Sequence, residues 1–122
     1  MPAVTGSSLM SEAELDAAVR ELAALLGVRV YSVRNSRAGV VTSRGYPDLT
    51  LVGPGGIMWR ELKRERKTAT REQLAWGRAI TGAGGSWKVW RPQDLTASVI
   101  ETELRLLARA ADHDNRREGG SL

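Results

Sequence analysis

Three charged residues stand where an apolar hairpin should be feeding a core. Asp48 opens the run DLTLV, and Glu61 and Lys63 lie inside the run IMWRELK; the stretch GPGG, residues 53–56, joins the two. Both runs are short, apolar and bounded by turn residues, which predicts a β-hairpin. Side chains on a strand alternate faces, so Glu61 and Lys63 share one face and Leu62 takes the other. Pro47 fixes the backbone entering the first strand. Pairing across the turn brings the Asp48 carboxylate near that of Glu61, on strands about 4.8 Å apart. Two carboxylates that close repel, and one keeps its proton unless a cation lies between them. A divalent ion makes the pair favourable, with the Leu62 backbone carbonyl as a further oxygen ligand. Lys63 beside it would orient or deprotonate a water, or steady the charge that builds on a phosphate under attack. These parts suit metal-assisted hydrolysis of a phosphodiester. The bland alternative is a solvated sheet face on which Glu61 and Lys63 pair weakly.

Two further residues fall at suitable places. Gln73 lies in the first turns of the helix that follows the hairpin, where its amide can bind the attacking water or a phosphate oxygen. Glu12 lies three residues before Leu15 in the first helix, close to the apolar stripe and facing the sheet. A carboxylate there is costly unless it meets a cation or a proton. Glu14 and Asp16 are its neighbours. A helix cap explains Glu14 more simply, and which of the three completes a metal site is left open by spacing alone.

Composition narrows the chemistry. The chain has 122 residues, no cysteine and a single histidine, His113. That length holds one domain with a modest core. Disulfides, cysteine zinc sites and a histidine triad are excluded, so any metal is held by oxygen, which points to Mg2+ or Mn2+. No run of eighteen apolar residues and no secretory pattern is present, so the expectation is a cytoplasmic protein with no membrane span. The formal net charge is +4, and 15 of the 18 basic residues are arginine, the better fork for phosphate. A GC-rich genome would give the same arginine content. Position favours phosphate instead. Arg34, Arg37 and Arg44 precede the hairpin, and Arg64, Arg66, Lys67 and Arg71 follow it, so both groups flank the acids where a DNA backbone would lie.

The elements that must hold these residues follow from periodicity. Ser11 and Glu14 form a capping box, Leu15, Val19, Leu22 and Leu26 recur at helical spacing, and Gly27 ends the helix. VRVYSV, residues 28–33, reads as a strand, and a polar loop leads to the hairpin. Thr70 caps a second helix with Leu74, Ala75, Ile80 and Trp76 turned inward. SWKVW, residues 86–90, is a further strand. After Pro92 the chain is helical in one piece or two, with an apolar stripe of Val99, Leu104, Leu106 and Leu107 that covers the sheet or meets a second subunit. Trp59 shares the face of Glu61, and Trp76, Trp87 and Trp90 are assigned to core or dimer contacts. The fold class is α/β, a mixed sheet flanked by helices in the order α-β-β-β-α-β-α. Residues 1–10 are expected to be loose, 11–95 the core, 96–111 a C-terminal helix and 112–122 a frayed tail.

The succession GYPDL, WRELK, TREQLAW and GGSWKVWRPQDL, preceded by SEAELDAAVRELAALLGVRVY, resembles the VRR-NUC domain of the PD-(D/E)XK nucleases, in particular the small stand-alone versions carried by bacteriophages. The likeness runs from Ser11 to Leu95. It implies a restriction-endonuclease-like sheet and a metal-dependent endonuclease. Asp48 and Glu61 would be metal ligands, Lys63 the catalytic lysine, Gln73 the family's helix glutamine and Glu12 the first-helix acid. The chain departs from its relatives with Asp16 where many have glutamine, and with VYSVRN where many have a histidine. Stand-alone members resemble junction resolvases and nickases and form homodimers, so the resemblance implies branched or structured DNA as substrate and a second copy as partner. The rival readings are a DNA-binding module that has lost catalysis and an interaction subunit of a phage DNA-processing complex.

Overall fold

A computed structural model of the protein describes residues 10–32 and 44–109. Arg34, Arg37 and His113 lie outside the described residues, as do positions 1–9 and 110–122. The elements run α1 (Glu12–Leu26), β1 (Arg29–Ser32), β2 (Leu49–Gly53), β3 (Gly56–Leu62), α2 (Arg71–Gly82), β4 (Ser86–Trp90), a short α3 (Pro92–Thr96) and α4, residues 99–109. This is the expected α-β-β-β-α-β-α order, with the last helix in two pieces. The break falls at residues 97–98, where Ser98 takes φ 66°.

The four strands form one mixed sheet in the order β1-β2-β3-β4. The first three are antiparallel neighbours and β4 joins β3 in parallel, after the α2 crossover. A two-residue Pro54–Gly55 turn closes the β2–β3 hairpin, and its register sets Leu49 opposite Arg60. Gly53 sits where an added Cβ would come within 2.8 Å of the Leu107 carbonyl oxygen, and the Gly55 N–H donates to that same oxygen at 2.6 Å. The hairpin tip is thereby seated on α4.

One sheet face is closed by α1 and α4. Leu15, Val19 and Ala23 from α1, and Ile100, Leu104 and Leu107 from α4, bury with Leu49, Leu51, Met58, Leu62 and Trp90 of the sheet. Each such aliphatic side chain contributes about 1.5–3 kcal/mol of hydrophobic stabilisation. The capping box of α1 is formed as expected: the Ser11 N–H donates to Glu14 and the Glu14 N–H to the Ser11 hydroxyl. Gly27 ends that helix in the left-handed conformation, φ 78°.

Two faces differ from the sequence expectation. In α2 the positions turned to the sheet are Gln73, Trp76, Gly77 and Ile80, whereas Leu74 and Ala75 are exposed. The cap at Thr70 sets that register, and Gly77 is the closest approach: a Cβ there would meet the Trp87 ring at 2.6 Å. In α4 the buried stripe is Ile100, Leu104 and Leu107; Val99 is half-buried and Leu106 is 58% exposed.

Candidate active site

The hairpin register, continued by one pair beyond Leu49 and Arg60, sets Asp48 opposite Glu61. Glu61 is 2% exposed and Lys63 6%, so neither lies on a solvated face. That removes the bland reading of a weak surface pair. Asp48 is fixed by its own fold: its Oδ2 accepts from the Leu62 N–H at 2.9 Å, which leaves Oδ1. Tyr46 and Pro47 hold the segment that delivers it. Pro47 is buried, the Tyr46 hydroxyl accepts from Trp59 Nε1 at 3.1 Å, and the Tyr46 ring stands edge-on to Trp76. Just before them, Gly45 (φ 87°) passes so close to Glu72 in the first turn of α2 that a Cβ would clash at 2.5 Å.

Glu61 is held on one oxygen and bare on the other. Its Oε2 accepts from Gln73 Nε2 at 2.7 Å and lies 4.0 Å from Lys63 Nζ. Its Oε1 is buried with no hydrogen-bond partner. Burial pushes the Glu61 carboxyl up to about 8, the facing Asp48 carboxylate adds to the rise, and Lys63 works against it. Gln73 was legible as a candidate, but not its orientation. It forms a capping box with Thr70, donating its N–H to the Thr70 hydroxyl at 3.1 Å and accepting the Thr70 N–H on Oε1 at 2.8 Å.

Among the three first-helix acids, two are occupied locally. Glu14 serves the cap, and Asp16 accepts from Arg20 at 2.9 Å within the helix. Glu12 reaches the turn just after β3, where its Oε2 meets the Arg64 N–H at 3.4 Å. It does not join Asp48 and Glu61 in one group. Among the described residues no set of three or more His, Cys, Asp or Glu gathers closely enough to hold a metal ion. The donor set is therefore a carboxylate pair. It fits a hard dication that keeps its remaining positions for water and phosphate oxygens, and the orphaned Oε1 of Glu61 is the atom such an ion would satisfy.

The basic residues flank this pair along the chain. Arg44, Arg64, Arg66, Lys67 and Arg71 are all exposed. The turn that carries three of them is clamped by Arg91, whose Nη1 donates to the carbonyls of Arg64 at 2.9 Å and Lys67 at 2.7 Å. The Gln93 N–H, at the start of α3, donates to Glu65 at 2.9 Å and braces the same turn. Sequence reasoning missed Arg91; an arginine before a proline carries no signal of a backbone clamp. Beyond Trp59 and Trp76, an open apolar groove of about 620 Å3 runs along α2 past Ile57 and Ile80. None of the acids lines it.

On the opposite face of β3 lies a polar cluster that the sequence did not announce. Arg60 is 3% exposed and donates to Glu103 on α4 at 2.9 Å, to the Ser86 carbonyl at 2.9 Å and to the Trp59 carbonyl at 2.8 Å. Glu103 also accepts from Trp90 Nε1 at 2.9 Å and from Lys88. The Arg60 guanidinium stands 5.1 Å from the centre of the Trp90 ring. Burial by itself would raise the Glu103 carboxyl; the bonds from Lys88, Arg60 and Trp90 outweigh it and hold the group below its usual value.

With this geometry in hand, comparison with known proteins gives no match, whether to a family model, a curated protein or a solved structure. No helix among the described residues is long and apolar enough to cross a membrane.

Proposed function

We propose that the chain is a metal-dependent endonuclease that hydrolyses phosphodiester bonds in branched or structured DNA. One observation carries the reading: Asp48, Glu61 and Lys63 converge at the base of the hairpin, and the buried Glu61 Oε1 has no partner. The resemblance of the motif order to that of VRR-NUC nucleases supports it, as do the exposed arginines and lysine that flank the acids in the sequence. Asp48 and Glu61 would hold Mg2+ or Mn2+, one ion or two, and the Leu62 carbonyl would add an oxygen. Glu12, the first-helix acid whose carboxylate meets the Arg64 N–H, would complete the site only through an intervening water. When bound, the ion would supply charge stabilisation at the phosphate and a more acidic water.

The protein's own groups do the remaining work. The Leu62 N–H and the Gln73 amide hold the two carboxylates at fixed angles. Lys63, buried within 4.0 Å of Glu61, keeps its ammonium beside the attacked phosphate, where it orients the water and offsets developing charge. Arg44, Arg64, Arg66, Lys67 and Arg71 would grip backbone phosphates and fix the substrate without reading its sequence. Homodimerisation, implied by the same resemblance, would set two such centres on two strands of a junction.

The test is a nicking assay on linear, flapped and four-way substrates with Mg2+, Mn2+ or EDTA. Metal-dependent cuts in branched substrates that vanish in Asp48→Ala and Glu61→Ala are expected. Binding without cutting under every metal condition would leave the inactive DNA-binding module as the better description.

A further inference from the structure

The Gln73 amide offers more than a contact. An amide side chain can present its oxygen or its nitrogen in either direction, and neighbours decide which. Here the Thr70 N–H takes Oε1 at 2.8 Å, so Nε2 must face Glu61, which it meets at 2.7 Å. Both ends of the amide are therefore engaged, Oε1 by Thr70 and Nε2 by Glu61, and a bond to water or a phosphate oxygen, the role that its position in sequence suggests, would fall to the second N–H of the same amide. The amide occupies Oε2, the oxygen already facing the Lys63 ammonium, and leaves the buried Oε1 as the only one unpartnered. Asp48 is treated alike, with Oδ2 held by the Leu62 N–H. Each carboxylate is thus held by a hydrogen bond at one oxygen, and in Glu61 the other oxygen is buried without a partner.

We infer that the Thr70–Gln73 cap is a denticity clamp that makes the site select small octahedral dications over Ca2+. This rests on the reading of Asp48 and Glu61 as metal ligands. Ca2+ takes six to eight oxygens and favours bidentate carboxylates, whereas Mg2+ and Mn2+ accept one oxygen from each acid and keep water in the other positions. A cation approaching Oε2 would also sit against Lys63. The helix cap thereby reaches the metal through a single side chain, and Thr70 and Gln73 are positioning residues rather than catalytic ones.

Metal titration by calorimetry without DNA tests this, since no turnover is involved. The unaltered protein is expected to bind Mn2+ tighter than Ca2+, on the order of tenfold. Gln73→Leu keeps bulk and removes the amide; Gln73→Asn keeps the amide but is too short to span both partners. Both should lower Mn2+ affinity roughly tenfold while Ca2+ affinity holds or rises. Thr70→Val should move the Mn2+/Ca2+ ratio in the same direction by a smaller factor, and Thr70→Ser should restore it. A purely structural cap would lower both affinities together and leave the ratio unchanged, which overturns the clamp. If the unaltered protein binds neither ion, or binds both equally well after Asp48→Ala and Glu61→Ala, the metal-site reading itself falls. Because the ratio is read separately from binding as such, the two failures are distinct.

Discussion

Arg60 and Glu61 are adjacent in one strand and lead opposite lives. Arg60 points to the α4 face, where its guanidinium is matched by one carboxylate, two backbone carbonyls and an aromatic ring. Glu61 points to the α2 face, where it confronts a second carboxylate and keeps one buried oxygen unpartnered. Both are nearly inaccessible. A buried polar group that is fully satisfied fixes structure, and one left wanting a cation or proton marks a place where something else binds. On the proposed reading, the difference separates a structural charge from a metal-binding one.

The sharpest way to break this contrast is catalytic. Asp48→Ala, Glu61→Ala and Lys63→Ala should each lower the nicking rate at least about a hundredfold while thermal unfolding stays cooperative. A variant that cuts at the normal rate removes its residue from the mechanism. Stability should respond on the other face. Glu103→Ala strands a buried guanidinium and should cost roughly 3–5 kcal/mol in urea denaturation, whereas Glu61→Gln should leave the metal-free protein as stable or more so at pH 8. Equal losses in the two variants would erase the distinction.

Acidity sharpens the contrast further. The folded protein holds the Glu61 proton more tightly than the unfolded chain, whose carboxyl titrates near 4.5. That contribution is full below pH 4.5 and is lost as pH rises through about 8. The metal-free protein should therefore melt lower at pH 8.5 than at pH 5, by on the order of 10 °C. Saturating Mg2+ should close most of the gap, and Glu61→Gln should flatten it. A melting profile that rises over this range would contradict the assignment. The smallest effect belongs to the exposed rim. Single alanine substitutions at Arg64, Arg66, Lys67 or Arg71 should weaken DNA binding uniformly across sequences and reduce the salt slope by about one, read from affinity against log salt.

Much of this was legible before any coordinates. Strand parity and the GPGG turn were enough to set Asp48 against Glu61, because alternation on a strand has little freedom. Helix faces were harder to read. In α2 the inward face includes a glutamine and a glycine, so counting apolar residues drew attention to Leu74 and Ala75 instead. In α4 the helix break at Ser98 restarts the helical register, and a stripe begun at Val99 lands on Leu106 rather than Ile100. The Arg60 cluster was invisible for another reason. Its partner Glu103 lies 43 residues away, and no local pattern announces that an arginine within a strand will be buried. Gln73 shows a middle case: Thr70 and Gln73 are spaced as a capping box, yet only the fold reveals what the amide's other end meets.

The seat of the hairpin tip on Leu107 bears on how the protein can be trimmed. The motif likeness ends near Leu95, which invites a shortened version stopping there. Such a version would lose the carbonyl that receives Gly55 and the leucines that roof the sheet, so the strands bearing the acids would be left unsupported at their far end. Any minimal unit must therefore reach through the last turn of α4, and a fusion partner placed directly behind Leu107 would press on the loop opposite the acids.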